Sequence, residues 1–163
     1  MAQTKLAGTV TTTSGELPEV GSSAPSFTLA GTDLSPLSSA KFESKPLLLN
    51  IFPSIDTGVC AASVRTFNER AATTGATVLC VSNDLPFAQQ RFCGAEDITN
   101  VEVGSAFRSS FGDDFGVTIV DGPMAGLLAR AVVVIGADGN VIYTEMVPEI
   151  TQEPDYDSAL GAL

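Results

Sequence analysis

The chain has 163 residues, 44% of them hydrophobic, so it is long enough to bury a core and is expected to form one domain, residues 1–163. It carries 8 Lys and Arg against 19 Asp and Glu, a formal net charge of −11. Such a charge repels phosphate backbones and anionic lipids, which argues against nucleic acid and membrane as partners. The chain has no histidine, which excludes Ser-His-Asp and Cys-His hydrolases.

The first half of the chain predicts a hairpin and then a strand–helix unit. Residues 8–24 alternate Thr, Val, Gly and Pro, which indicates a short N-terminal β-hairpin followed by a turn-rich connection. Residues 27–29 are expected to form a short strand, and the apolar run 47–52 a buried one. A helix follows Cys60, with apolar residues at helical spacing, and ends near Gly75.

The second half predicts further strands and short helices. The predicted strands are residues 76–82, 101–103, 131–135 and 141–144, and Gly-Ala-Asp-Gly-Asn joins the last two as a hairpin. The predicted helices are a short one opened by Pro86 with Asp84 as candidate cap, one over 105–110, and one within 154–163. A crossover between parallel strands followed by an antiparallel hairpin predicts an α/β fold, a thioredoxin-like mixed β-sheet flanked by helices.

Cys60 lies just past a strand end, in the first turn of the helix that follows. Unpaired N–H groups and the positive end of the helix dipole stabilise a thiolate there. A small apolar residue packed at a helix start is the competing interpretation. Pro53 fixes the backbone after the strand, and the hydroxyl of Thr57 is placed to bond the sulfur or a bound oxygen. This arrangement favours a reactive cysteine that needs no histidine base.

The pattern of Pro53, Thr57 and Cys60 resembles the peroxiredoxin active-site motif, Pro-x-x-x-Thr/Ser-x-x-Cys. The longer run, residues 50–68, is similar to the thiol peroxidase branch of that family, the atypical two-cysteine peroxiredoxins. Gly58 is a departure, because members of this branch commonly have proline there. Glycine loosens the backbone just before the nucleophile.

Two more blocks extend the resemblance over essentially the whole chain. Residues 82–93 are similar to the segment with the resolving cysteine, and residues 126–131 to the segment with the active-site arginine. The resemblance implies that Cys93 forms a disulfide with Cys60 within one subunit. It also implies that Arg130 faces Cys60, where a guanidinium stabilises a thiolate and bonds the peroxide oxygens. Without the resemblance, Cys93 is equally a packed cysteine, and an arginine at a strand start is usually a surface charge.

The three cysteines have different surroundings in the sequence. An odd, low count argues against a secreted disulfide scaffold, and no two cysteines lie at zinc-ligand spacing. Cys80 lies inside an apolar strand, which predicts an inert core thiol. The first residues show no apolar signal region, so the expected location is the cytoplasm.

The resemblance implies a peroxidase that reduces hydrogen peroxide and alkyl hydroperoxides through a sulfenic acid on Cys60. Thioredoxin or a similar dithiol is the implied reductant, a homodimer is the implied assembly, and no metal, haem or flavin is needed. Two alternatives stay open. A thioredoxin-like disulfide reductase predicts a Cys-x-x-Cys pair, which this chain lacks. A non-enzymatic redox sensor would use the same residues and would differ only in turnover.

Overall fold

The computed structural model describes residues 1–163 and contains a seven-stranded mixed sheet, with strand order β4-β3-β7-β6-β5-β8-β9. The strands are β1 (Gln3–Leu6), β2 (Thr9–Thr12), β3 (Thr28–Gly31), β4 (Pro36–Ser38), β5 (Leu47–Ile51), β6 (Thr77–Ser82), β7 (Glu102–Ser105), β8 (Ala131–Ile135) and β9 (Val141–Met146). The helices are α1 (Gly58–Thr74), α2 (Pro86–Ala95), α3 (Phe111–Asp114) and α4 (Tyr156–Gly161), and a 3₁₀ turn spans Ser39–Phe42. This architecture confirms the predicted thioredoxin-like α/β fold.

The middle of the sheet is parallel. β5 pairs in parallel with β6, and β6 with β7, whereas β8 pairs antiparallel with both β5 and β9. The parallel pairs require crossover connections, which α1 and α2 supply. The carboxyl ends of β5, β6 and β7 therefore meet at one edge of the sheet, and the loop from β5 to α1, which leads to Cys60, leaves from this edge.

Both faces of the sheet are buried. Along β5, Leu47, Leu49 and Ile51 belong to a core cluster of 17 buried residues, and Leu48 belongs to a second cluster of 14. This division follows the two-residue alternation of side chains along a strand. The second cluster includes Cys60, so the N-terminal turn of α1 is part of the core.

The N-terminal hairpin forms a separate two-stranded sheet of β1 and β2. The hairpin was predicted, but its position within residues 8–24 was wrong, because the chain turns at Ala7 and Gly8 with φ of 49° and 86°. Positive φ at both central residues matches the twist of a two-residue hairpin. Alanine rarely adopts that conformation, so the sequence does not mark this turn.

Other predicted elements shift or fail at their ends. The hairpin of β8 and β9 is confirmed, as are the helix after Cys60 and the short C-terminal helix. The predicted helix over 105–110 is wrong, since Ser105 ends β7 and the helix α3 begins only at Phe111. No helix in the structure has both the length and the apolar character that a membrane crossing requires.

Candidate active site

Cys60 is the third residue of α1 and its side chain is completely buried. The helix starts where predicted because Thr57 is extended, with φ −99° and ψ 147°, and serves as N-cap without a side-chain bond. Pro53, also buried, directs the chain from the end of β5 into this turn. Gly58 has room for a side chain and an ordinary φ, so glycine does not distort the first turn.

Arg130 supplies a positive charge to this cysteine. Its Nη2 donates a hydrogen bond to Cys60 Sγ at 3.2 Å, and its Nε donates to the carbonyl oxygen of Ile150 at 2.8 Å. Arg130 is only 2% exposed and takes part in none of the salt bridges of the molecule. Its buried Nη1 has no hydrogen-bond partner in the protein. A buried charged donor without a partner is costly, so this nitrogen is suited to receive a polar ligand beside the sulfur.

Of the two predicted partners of the Thr57 hydroxyl, the Cys60 sulfur and a bound oxygen, the sulfur is not bonded in this structure. Its hydroxyl donates to the carbonyl oxygen of Ser54 at 3.1 Å, which fixes the side-chain orientation. The hydroxyl oxygen keeps its acceptor capacity, because a hydroxyl both donates and accepts. The arrangement therefore allows Thr57 to accept a hydrogen bond from a bound hydroperoxide, but not to donate one to Cys60 in this state.

Asp84 holds the loop that leads to Cys60, a role that sequence reasoning missed. Its carboxylate accepts hydrogen bonds from the hydroxyl of Ser54 at 2.7 Å, the N–H of Ile55 at 2.7 Å and the hydroxyl of Ser82 at 2.6 Å. The predicted cap role of Asp84 is wrong, because Leu85 is the N-cap of α2 and makes no side-chain cap bond. An acidic residue two positions after a buried strand, at the edge where the Cys60 loop begins, was the available signal.

Cys93 lies in α2, half-buried, and its sulfur is not bonded to that of Cys60. Burial raises the pKa of the Cys93 thiol, so the folded helix keeps it protonated. Cys93 packs against the same apolar cluster that contains Cys60. The structure thus describes the dithiol state, with the two cysteines on different helices that face one core.

Cys80 lies in β6 and is completely buried, as predicted for a core thiol. Burial raises the pKa of Cys80 to about 12, although a weak contact from the side-chain amide of Asn50 opposes the shift. Asn50 Nδ2 lies 3.6 Å from the Cys80 sulfur and donates to the hydroxyl of Ser63 at 3.2 Å. The Ser63 hydroxyl in turn donates to the Cys60 carbonyl oxygen at 2.7 Å, which braces the first turn of α1 from inside the core.

Comparison with known proteins gives the same class as the fold and the site. Residues 19–160 match the Redoxin family. A thiol peroxidase of Mycobacterium tuberculosis is 71% identical over 163 residues, covering 100% of this chain and 99% of the relative. A thiol peroxidase of Corynebacterium glutamicum is 56% identical over 164 residues, covering 100% and 99%.

Solved structures agree in shape over nearly the whole chain. A peroxiredoxin-like protein from Aquifex aeolicus superimposes with a TM-score of 0.93 at 39% identity, covering 99% of this chain and 95% of that one. A thiol peroxidase from Chromobacterium violaceum gives a TM-score of 0.89 at 20% identity, covering 96% and 91%.

The chain therefore belongs to the Redoxin family. Within that family it belongs with the thiol peroxidases, and it is a thiol-dependent peroxidase. Of the open alternatives, an enzyme is thus preferred over a non-enzymatic sensor.

Proposed function

We propose that Cys60 is the nucleophile that reduces hydroperoxides and that Cys93 resolves the oxidised cysteine. The contact between Arg130 Nη2 and Cys60 Sγ, 3.2 Å long and buried, carries this assignment. A fixed cation beside a sulfur stabilises negative charge on it, and a cysteine nucleophile reacts as the thiolate. No imidazole is required, which agrees with a chain that lacks histidine.

In the first step, the Cys60 thiolate attacks one oxygen of a hydroperoxide, ROOH, and the O–O bond breaks. The products are a Cys60 sulfenic acid and an alkoxide or hydroxide, which takes up a proton to leave as ROH or water. The unpaired Nη1 of Arg130 and the N–H groups of the first turn of α1 support the oxygen on which charge develops. The Thr57 hydroxyl oxygen accepts a hydrogen bond from the O–H of the hydroperoxide, which aligns the substrate, and Pro53 shields the turn from the strand side.

In the second step, the Cys93 sulfur attacks the sulfenic sulfur of Cys60 and water leaves. The product is an intrasubunit disulfide between these two residues. Because Cys93 is half-buried in α2, the last turns of that helix unwind to bring the sulfurs together. An external dithiol, thioredoxin or a similar protein, then reduces the disulfide, becomes a disulfide itself, and returns both thiols. No metal or organic cofactor enters the proposed cycle.

We also propose that residues 1–163 act as one domain, that the protein works in the cytoplasm and that it forms a homodimer. Three free cysteines fit a reducing compartment. Three large apolar side chains stay exposed at the edge of the sheet that carries the site: Leu85 at 51%, Phe87 at 64% and Phe107 at 41%. Exposed apolar side chains of this kind support an interface that borders the site. Sedimentation of the protein and of Phe87→Asp tests the dimer, since a monomer in both samples contradicts it.

The mechanism is tested by adding one equivalent of hydrogen peroxide to the reduced protein, blocking free thiols and mapping the peptides by mass spectrometry. The expected product links the Cys60 and Cys93 peptides and leaves Cys80 blocked. Cys93→Ser is the matched variant: it should consume about one equivalent of peroxide and stop at the sulfenic acid, before slow over-oxidation. Three unreacted thiols in the unmodified chain would contradict the role of Cys60.

A further inference from the structure

We propose that the N-terminal hairpin of β1 and β2 is a positioning element for Arg130, acting through the backbone of Ile150. The inference rests on the proposed role of Arg130 at the Cys60 sulfur. It gives a function in the peroxidase reaction to a hairpin that lies outside the central sheet.

The first link joins Arg130 to the segment 147–150. The Nε of Arg130 donates to the Ile150 carbonyl at 2.8 Å, and the N–H of Val147 donates to the Arg130 carbonyl at 3.1 Å. Val147 and Ile150 are each only 2% exposed. Because the guanidinium takes part in no salt bridge, the Ile150 carbonyl is the protein group that orients it toward Cys60.

The second link joins this segment to β1. The buried hydroxyl of Thr4 donates to the Val147 carbonyl at 2.7 Å. The N–H of Lys5 donates to the Pro148 carbonyl at 3.0 Å, and the N–H of Ile150 donates to the Lys5 carbonyl at 2.8 Å. Strand β1 thus holds both ends of the segment. Ile150 is bonded on both sides: its N–H donates to β1, and its carbonyl oxygen accepts from Arg130.

The third link is a charged one at the tip of the hairpin. The Glu149 carboxylate accepts hydrogen bonds from the N–H of Ala7 at 3.0 Å and of Gly8 at 2.7 Å. Backbone N–H groups of Thr151, Gly8 and Ala7 hold the pKa of the Glu149 carboxyl below its usual value. One side chain of the segment therefore locks the β1–β2 turn, while the backbone of the segment pairs with β1.

The fourth link runs from β2 to the chain that enters Arg130. The N–H of Val120 donates to the Thr12 carbonyl at 2.9 Å, and the N–H of Ala129 donates to the Val117 carbonyl at 2.8 Å. Ile119, Ala129 and Ile150 form a small buried cluster, against which Leu6 of β1 packs. The hairpin therefore holds the two segments that meet at Arg130. A displacement of a reacting group by about 1 Å costs up to roughly 100-fold in rate, so this support bears on catalysis.

Two variants weaken the hairpin's hold without touching Arg130 or Cys60. Glu149→Gln removes the carboxylate that holds the hairpin tip, and Thr4→Val removes the hydroxyl bond to Val147 at nearly constant volume. Asp138→Asn is the matched control for the first. The Asp138 carboxylate also accepts from a backbone N–H, that of Asn140 at 3.0 Å. It lies at the end of β8 opposite to Arg130, so its loss should not affect the β1–β2 hairpin. Thr9→Val is the control for the second, since Thr9 is exposed on β2.

The second-order rate of Cys60 oxidation by hydrogen peroxide is measured from pH 5 to 9 in full-length chains that carry Cys93→Ser, so that only the first step is read. Circular dichroism checks that each chain is folded at 25 °C. Glu149→Gln and Thr4→Val are each expected to slow the reaction about tenfold and to move its pH profile upward, whereas both controls leave it unchanged. The same changes are then made together with Arg130→Ala, where they should have less than about a twofold effect.

The results separate two claims: that the hairpin acts through Arg130, and that Arg130 acts on the Cys60 sulfur. If the hairpin variants slow the reaction equally with and without Arg130, or do not slow it at all, the hairpin does not act through Arg130 and the inference fails. If Arg130→Ala alone leaves the rate unchanged, the proposed role of Arg130 fails instead. A variant that lowers the melting temperature while keeping the rate and pH profile of the parent shows a structural hairpin only and overturns the inference.

Discussion

Cys60 and Cys80 are equally buried, at 0% exposure, and belong to the same apolar cluster, yet their surroundings differ in charge. Cys60 lies at the start of α1 and receives a hydrogen bond from a guanidinium. Cys80 lies in the middle of a strand, where its one polar contact is a neutral amide at 3.6 Å. The two thiols therefore differ in what could stabilise negative charge on the sulfur: Cys60 has a guanidinium and the free N–H groups of a helix start beside it, whereas Cys80 has only a neutral amide.

The largest expected effect comes from exchanging each sulfur for oxygen. Cys60→Ser should abolish peroxide reduction, because a serine hydroxyl does not ionise in this site and cannot form a sulfenic acid. Cys80→Ser should keep the parent rate within about twofold, since Cys80 touches no reacting atom. Peroxide consumption coupled to a dithiol reductant measures both. Loss of activity in folded Cys80→Ser would end the distinction between the two residues.

The next effect concerns the cation itself. Arg130→Ala removes the group that most clearly separates the two cysteines, and the first step should slow by about 100-fold, the size found when one oriented donor is lost from an active site. Arg130→Lys serves as the control, since it keeps the charge and loses the forked donor geometry. A parent rate in Arg130→Ala would remove this residue from the mechanism.

A smaller effect is expected from the loop that leads into α1. Asp84→Asn keeps the shape of the side chain but cannot accept from the hydroxyl of Ser54, the N–H of Ile55 and the hydroxyl of Ser82 at the same time. The rate of Cys60 oxidation should fall about tenfold, the cost of one hydrogen bond to a charged group. Asp56→Asn is the control in the same loop, because the ion pair of Asp56 with Arg91 is exposed. Equal rates for the two variants would show that Asp84 does not position the loop.

The last expected effect concerns stability rather than activity: the buried Cys80 thiol should lower the free energy of unfolding at alkaline pH. Burial holds the pKa of Cys80 at about 12, against an ordinary value of 9.0, so from pH 9 upward the unfolded chain loses a proton that the folded chain keeps. The free energy of unfolding therefore falls as pH rises through this window, by about 1.4 kcal/mol per pH unit for one proton. Urea unfolding of Cys80→Ser between pH 8 and 11 should lack that contribution. Parallel pH dependences in the two proteins would contradict the assigned environment.

The sequence predicted the parts of this site that depend on local pattern. An apolar run followed by proline and a helical spacing of apolar residues placed Cys60 at a strand-to-helix junction, and the structure has it there. The resemblance added Arg130, whose contact with Cys60 joins positions 70 residues apart that no local pattern could bring together.

What the sequence did not predict depends on side-chain partners chosen by the fold. Asp84 looked like a helix cap because it precedes Pro86, but its carboxylate instead accepts from two donors of the loop after β5 and from the hydroxyl of Ser82 at the end of β6. Thr57 has the right spacing to Cys60, yet its hydroxyl donates its hydrogen bond to the carbonyl oxygen of Ser54. The turn at Ala7 was missed because alanine carries no turn preference and tertiary contacts impose its positive φ.

The buried Arg130 also has a consequence at long range, because it lies inside a molecule whose net charge is −11. The surface field acts over about one Debye length, ~10 Å at 0.1 M salt. A hydroperoxide that bears a carboxylate is repelled over that distance before it can meet the guanidinium, whereas hydrogen peroxide and neutral alkyl hydroperoxides are not. We therefore expect the net charge to disfavour anionic hydroperoxides before they reach the site, and added salt to speed the reaction of the anionic ones alone.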